Sequence, residues 1–166
     1  LVTETAINEV GKHNLFNNIF YKLKTNNIEF KILTFKSKEE KKVYSHRVLK
    51  PDVIVTKISS FLLLNNIFLF YKLIRLKPDH LIIGGYGYTQ SWVSLFYVSL
   101  FGAKTTLWTG ASETSSLTKN IFYFYIKSFF IKYFDNAIFY GTKAFFYLRK
   151  LVFKKKIILT KNISDI

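Results

Sequence analysis

Three features of this 166-residue chain predict a doubly wound α/β domain on a mostly parallel sheet of about seven strands. The first is the stretch 78–112, PDHLIIGGYGYTQSWVSLFYVSLFGAKTTLWTGAS, which reads strand, glycine turn, helix, glycine turn, strand. Leu81-Ile82-Ile83 stops at Gly84-Gly85-Tyr86-Gly87. Thr89-Gln90-Ser91 then opens a helical run that ends at Gly102, and a strand resumes over 104–109. That grammar is a βαβ unit with a right-handed crossover. The second feature is that the same alternation continues on both sides of this stretch. The third is composition: 49% of residues are hydrophobic and 19% aromatic, which favours a folded chain over a disordered one, and the length suits one domain.

Taken in order, residues 1–5 read as the tail of a first strand and 6–13 as a loop. Residues 15–24 form a helix with Leu15, Ile19, Phe20 and Leu23 at helical spacing. Asn26-Asn27 signals a turn before a strand over 29–35. A charged loop or ragged helix follows at 36–42, and 43–49 and 53–56 are extended. Beyond these come a helix at 61–76, a strand at 79–83, a helix at 90–101 and a strand at 104–109. The longest helix spans 117–134. A strand at 136–140, a helix at 142–151 and a strand at 156–159 complete the domain, 1–160, and 161–166 reads as the start of a linker. With no methionine anywhere and that linker-like end, the sequence is expected to be a fragment or trimmed domain.

The net charge of +15 comes almost wholly from lysine, the only arginines being Arg47, Arg75 and Arg149. Bidentate recognition of phosphates and base edges favours arginine, and no helix-turn-helix, RNP or zinc pattern is present, so nucleic acid is not an expected partner. Lysines among exposed aromatics suit an anionic membrane surface. Residues 81–103 carry no full charge and have the length of a bilayer span. The polar, glycine-rich middle, 84–91, argues against spanning, so peripheral attachment is the expectation.

Chemistry-bearing residues are few. Without cysteine, disulfides and thiolate metal sites are excluded. His13, His46 and His80 have no helical ligand spacing, so no metal is expected. Gly84, Gly85, Tyr86 and Gly87 lack both the dinucleotide fingerprint and a P-loop lysine. They either allow a tight strand-to-helix turn or let a substrate hydroxyl or phosphate approach backbone amides at a helix start. Trp108, Thr109, Gly110 and Ser112 hold the same position one strand later, with Glu113 behind them as a helix-start charge or a base. Trp108 reads as core or as a stacking face for a sugar ring. His13 lies in the first loop beside Lys12 and Asn14. At the third strand end Gly141 leaves an open approach, and Thr142 is placed to cap the next helix. His80 opens a strand at the opposite edge.

Four segments, in order, resemble the amino-terminal domain of family-four glycosyltransferases, retaining enzymes of the GT-B fold. They are Lys12-His13-Asn14-Leu15-Phe16; Pro78-Asp79 through to Gly84-Gly85-Tyr86; Leu107-Trp108-Thr109-Gly110-Ala111-Ser112; and the run from Lys132 through Asp135, Tyr140-Gly141-Thr142-Lys143 and Tyr147-Leu148 to Asn162 and Asp165. The resemblance covers nearly the whole chain and implies a Rossmann-like acceptor domain. A missing carboxyl-terminal domain would hold the nucleotide-sugar donor and its paired glutamates, so this chain itself would bind no cofactor and would be inactive alone. Its acceptor site would use His13, Gly84 to Gly87, Trp108, Thr109, Gly110, Ser112 and Glu113. Gly141, Thr142 and Asn162 would line the interdomain cleft. One departure is Trp108-Thr109-Gly110, where many members have a histidine. The implied setting is bacterial polysaccharide or lipopolysaccharide synthesis on a sugar or lipid-linked acceptor. The implied place is the cytoplasm, at the inner face of the cytoplasmic membrane. A non-enzymatic α/β module on a membrane surface is the alternative.

Overall fold

The computed structural model describes residues 2–3, 10–36, 52–57, 62–85, 88–110, 121–150 and 156–160. The protein is α/β with a parallel sheet. Its strands are β1 Val2–Thr3, β2 Lys31–Lys36, β3 Asp52–Lys57, β4 His80–Gly84, β5 Lys104–Thr109, β6 Asn136–Tyr140 and β7 Lys156–Thr160. Among the described residues the helices are α1 Val10–Lys24, α2 Leu62–Leu76, α3 Thr89–Phe101, α4 Ile121–Lys132 and α5 Thr142–Lys150. The strand order is β3-β2-β1-β4-β5-β6-β7, and every neighbouring pair is parallel.

Register and crossover handedness together explain the two apolar layers. Ile83 pairs with Leu107, and Leu107 with Ala137, so these residues share a sheet face with Leu81 and Phe139. They form one cluster with Leu69 and Leu73 of α2, Leu95 and Tyr97 of α3, Phe130 and Ile131 of α4, and Ala144 of α5. Each connection from β3 onward steps the same way across the sheet, and right-handed crossovers put all four helices on that face. The step from β1 to β2 runs the other way. Accordingly Phe16 of α1 packs on the opposite face with Phe30 and Ile32, against Ile19, Phe20, Leu23 and Trp108.

Several element ends differ from the sequence expectation, among them β2, which spans Lys31–Lys36 instead of 29–35, and three differences have a local physical reason. Helix α1 begins at Val10, so His13 lies inside a helix where a loop is expected. Gly11 lowers helix propensity by about 1 kcal/mol, but extending an existing helix adds a hydrogen bond for each residue fixed. Helix α4 ends at Lys132, two residues short of expectation, because Tyr133 and Phe134 donate to Phe130 and Ile131 in tighter turns at 3.3 and 3.2 Å. At β6, Gly141 rather than Thr142 takes the cap position: its carbonyl accepts the N–H of Phe145 at 3.3 Å, and Thr142 is the first helical residue. The expected loop at 37–42, the extended segment 43–49, the helix start at 117–120 and the linker 161–166 lie outside the described residues.

Candidate functional site

Parallel strands present their carboxyl ends at one edge, and here that edge is rich in glycine. Of the chain's seven glycines, Gly84, Gly85, Gly110 and Gly141 end or directly follow β4, β5 and β6. Small residues at strand ends leave backbone groups open to a ligand, and the strand order reverses between β1 and β4, directly beside Gly84.

The two turns named from the sequence are joined. Gly84 pairs with Trp108, and Gly85 then donates its N–H to the Trp108 carbonyl at 3.1 Å. With φ at +80°, Gly85 carries the chain off the sheet in a conformation that side-chain-bearing residues disfavour. Tyr88 caps α3 in an extended conformation without a side-chain cap bond, and Thr89 Oγ1 donates to Asn66 Oδ1 of α2 at 3.4 Å. Gly141 has φ +92°, and a Cβ placed there would meet nothing within 4 Å.

Trp108 turns its ring onto α1, edge-on to Phe16 with centroids 5.8 Å apart. That placement makes it a packing residue beneath the edge. Thr109 is buried at the last paired position of β5, opposite Phe139, and Gly110 follows it. His13 stands on α1, and Thr142 is exposed at the start of α5. Tyr86, Gly87, Ser112, Glu113 and Asn162 lie outside the described residues. Nothing in the sequence marks Asn66: in an apolar helix the pair Asn65-Asn66 is legible only as an interruption, yet Asn66 reaches the first residue of α3.

The described acids, unlike the lysines, keep to one edge of the sheet. Among the described residues the acids are Glu29, Asp52, Asp79 and Asp135, and each precedes or opens a strand at the amino edge. Lys36 and Lys57 close β2 and β3 at the carboxyl edge, and Lys31, Lys104 and Lys156 open β2, β5 and β7 at the amino edge. At the amino edge His80 Nε2 lies 2.7 Å from Thr106 Oγ1. Burial is the main cause holding its imidazole below the ordinary range, nearby positive charge adds to this, and Asp135 pulls the other way. Asp135 is tied to Thr105, whose N–H donates to Oδ2 at 2.8 Å. The edge beside Gly85 therefore lacks any described acidic residue, and the described acids and His80 belong to the other end of the strands.

No group of three or more His, Asp or Glu placed to hold a metal occurs among the described residues. No helix among them is long and apolar enough to cross a membrane. The chain matches no protein-family model and no curated protein.

Proposed function

We propose that this chain is the acceptor-binding, Rossmann-like half of a retaining, nucleotide-sugar-dependent glycosyltransferase of the GT-B kind, acting in bacterial cell-surface polysaccharide or lipopolysaccharide synthesis. The observation that carries the reading is the concentration of glycine at the carboxyl ends of β4, β5 and β6, beside the point where strand order reverses. Such an edge binds a hydroxyl-rich ligand through backbone groups, and Lys36 and Lys57, with no described acid beside them there, favour an acceptor bearing a phosphate. The described acids stand at the far edge, so this half orients an acceptor and leaves the chemistry to a second domain. That domain would supply the nucleotide-sugar site and the paired glutamates.

The test begins with the coding sequence beyond Ile166, which should encode roughly 150–200 further residues forming an α/β domain with two closely spaced glutamates. The full-length protein should then transfer labelled hexose from a nucleotide-sugar to a bacterial lipid extract. A stop codon directly after Ile166 in an intact gene overturns the reading, as does full-length protein that transfers from none of the common nucleotide-hexoses.

A further inference from the structure

The layer of helices on the far side of the sheet from α1 is apolar outward as well as inward. Among the described residues, every exposed large hydrophobic side chain except Tyr21 and Ile28 lies on α2 to α5 or one residue from their ends. Helix α2 turns Leu63, Ile67, Phe68 and Tyr71 to solvent, at 65, 59, 43 and 48% exposure. Helix α3 adds Phe96 and Leu100, and α4 adds Tyr125 and Phe129. A groove of ≈ 880 Å³ between α3 and α4 is walled by Trp92, Tyr125, Ile126 and Phe129, with Lys132 at its border. The Phe70 ring of α2 lies 5.8 and 6.5 Å from those of Phe96 and Phe101 of α3, so the exposed apolar side chains of neighbouring helices adjoin. Large adjoining apolar patches mark interaction sites.

The charges within this layer identify what covers it. Helices α2 to α5 contain no acidic residue, while Lys72, Arg75, Lys127, Lys132, Lys143 and Arg149 are distributed among the aromatics. Lys72 sits 5.3 Å from the Phe68 ring centroid and Arg75 5.1 Å from that of Tyr71, so the cations lie along the rings. Interfaces between proteins deplete lysine at their centres, and two copies of a +15 chain repel each other through a wholly cationic face. A bilayer bearing anionic headgroups accepts this pattern, with aromatic side chains at headgroup depth and flexible lysine stems extended to phosphates.

We propose that the outer surface of α2, α3 and α4 is a docking face for an anionic phospholipid bilayer. It stands independently of the sugar-transfer reading, because it uses none of the residues at the glycine edge. The test is co-sedimentation of the full chain with vesicles of phosphatidylcholine alone or with about one-third phosphatidylglycerol. Binding is expected to the mixed vesicles only and should fall about tenfold between about 0.05 and about 0.5 M salt. A chain carrying Phe68→Ser, Phe96→Ser and Phe129→Ser, shown folded by circular dichroism, should lose binding. Lys72→Glu with Lys132→Glu, tested separately, should weaken it without touching an aromatic. Absence of binding to the anionic vesicles overturns the proposal, and so does binding that all these variants retain. A chain that instead forms dimers abolished by the serine substitutions, with no lipid binding, also overturns it and makes the face a contact between copies.

Discussion

The backbone N–H of Gly85 donates to the carbonyl of Trp108 at 3.1 Å, one residue past the last paired position of β4 and β5, where Gly84 faces Trp108. Since the Trp108 ring rests edge-on against Phe16 of α1, this bond ties the mouth of the glycine edge to the core on the opposite sheet face. The turn after β4 is thus anchored at its base. Any ligand lying over Gly84 and Gly85 meets a backbone already positioned by β5.

Gly85→Leu places a side chain at φ +80°. An L-residue in that region costs about 1–2 kcal/mol, and leucine also fills the approach to the edge. Gly85→Ala carries the same backbone cost with little bulk. Thermal denaturation should therefore show similar destabilisation in both, whereas acceptor turnover by the full-length protein should be lost mainly in the leucine variant. Normal turnover with leucine present would remove the acceptor from this edge.

A second bond network is structural. Pairing of β5 with β6 begins at Thr106 and Asn136, and one residue earlier the Asp135 carboxylate stands in for a strand partner. It accepts the Thr105 N–H at 2.8 Å and the Thr105 hydroxyl at 3.1 Å, while the Asp135 N–H donates to the same hydroxyl at 3.1 Å. Thr105 is fully buried. Removing its acceptor by Asp135→Ala is expected to cost about 1–3 kcal/mol, and Asp135→Asn, which keeps an acceptor oxygen, should cost clearly less. Urea denaturation of the two variants measures the difference, and equal losses would dismiss the carboxylate's role.

Strands β5 and β6 were legible to the residue because glycine, aspartate and tightly spaced apolar runs bound them on both sides. Local signals of that kind carry no information about partners distant in sequence. The Thr105–Asp135 clamp joins positions thirty apart, and only the sheet register brings them together. The start of α1 was hidden for another reason: Gly11, Lys12, His13 and Asn14 look like a loop by propensity, and cooperative extension of the helix overrides them. At the edge itself, the glycine turns were readable as turns. The direction of the Trp108 ring was not, because either face of a strand can be core when helices cover both.

Lys77 follows α2 with φ +44° and donates its N–H to Leu73 O at 2.9 Å, taking the left-handed position that ends many helices. A lysine there bears a backbone cost that glycine avoids, and Pro78 behind it prevents the helix from continuing. Lys77→Gly should stabilise the protein by about 0.5–1 kcal/mol, read as a raised midpoint of thermal unfolding. A lowered midpoint would mean that the lysine side chain contributes more than the backbone cost.

His80 supplies the last prediction, a dependence of stability on pH. Its ring nitrogen lies 2.7 Å from the Thr106 hydroxyl, and burial foremost holds its pKa below the ordinary value of 6.5. The unfolded chain, with an ordinary imidazole, therefore binds a proton at a higher pH than the folded chain does. The contribution of His80 to stability is fully present above about 6.5 and is lost as pH falls from there through the folded pKa. His80→Gln removes the titration while keeping a side chain able to reach Thr106. Urea midpoints measured from about pH 8 down to about pH 5 should fall more steeply in the parent than in His80→Gln, with the difference opening below about 6.5. Parallel curves for the two proteins would show that acidification acts through other groups.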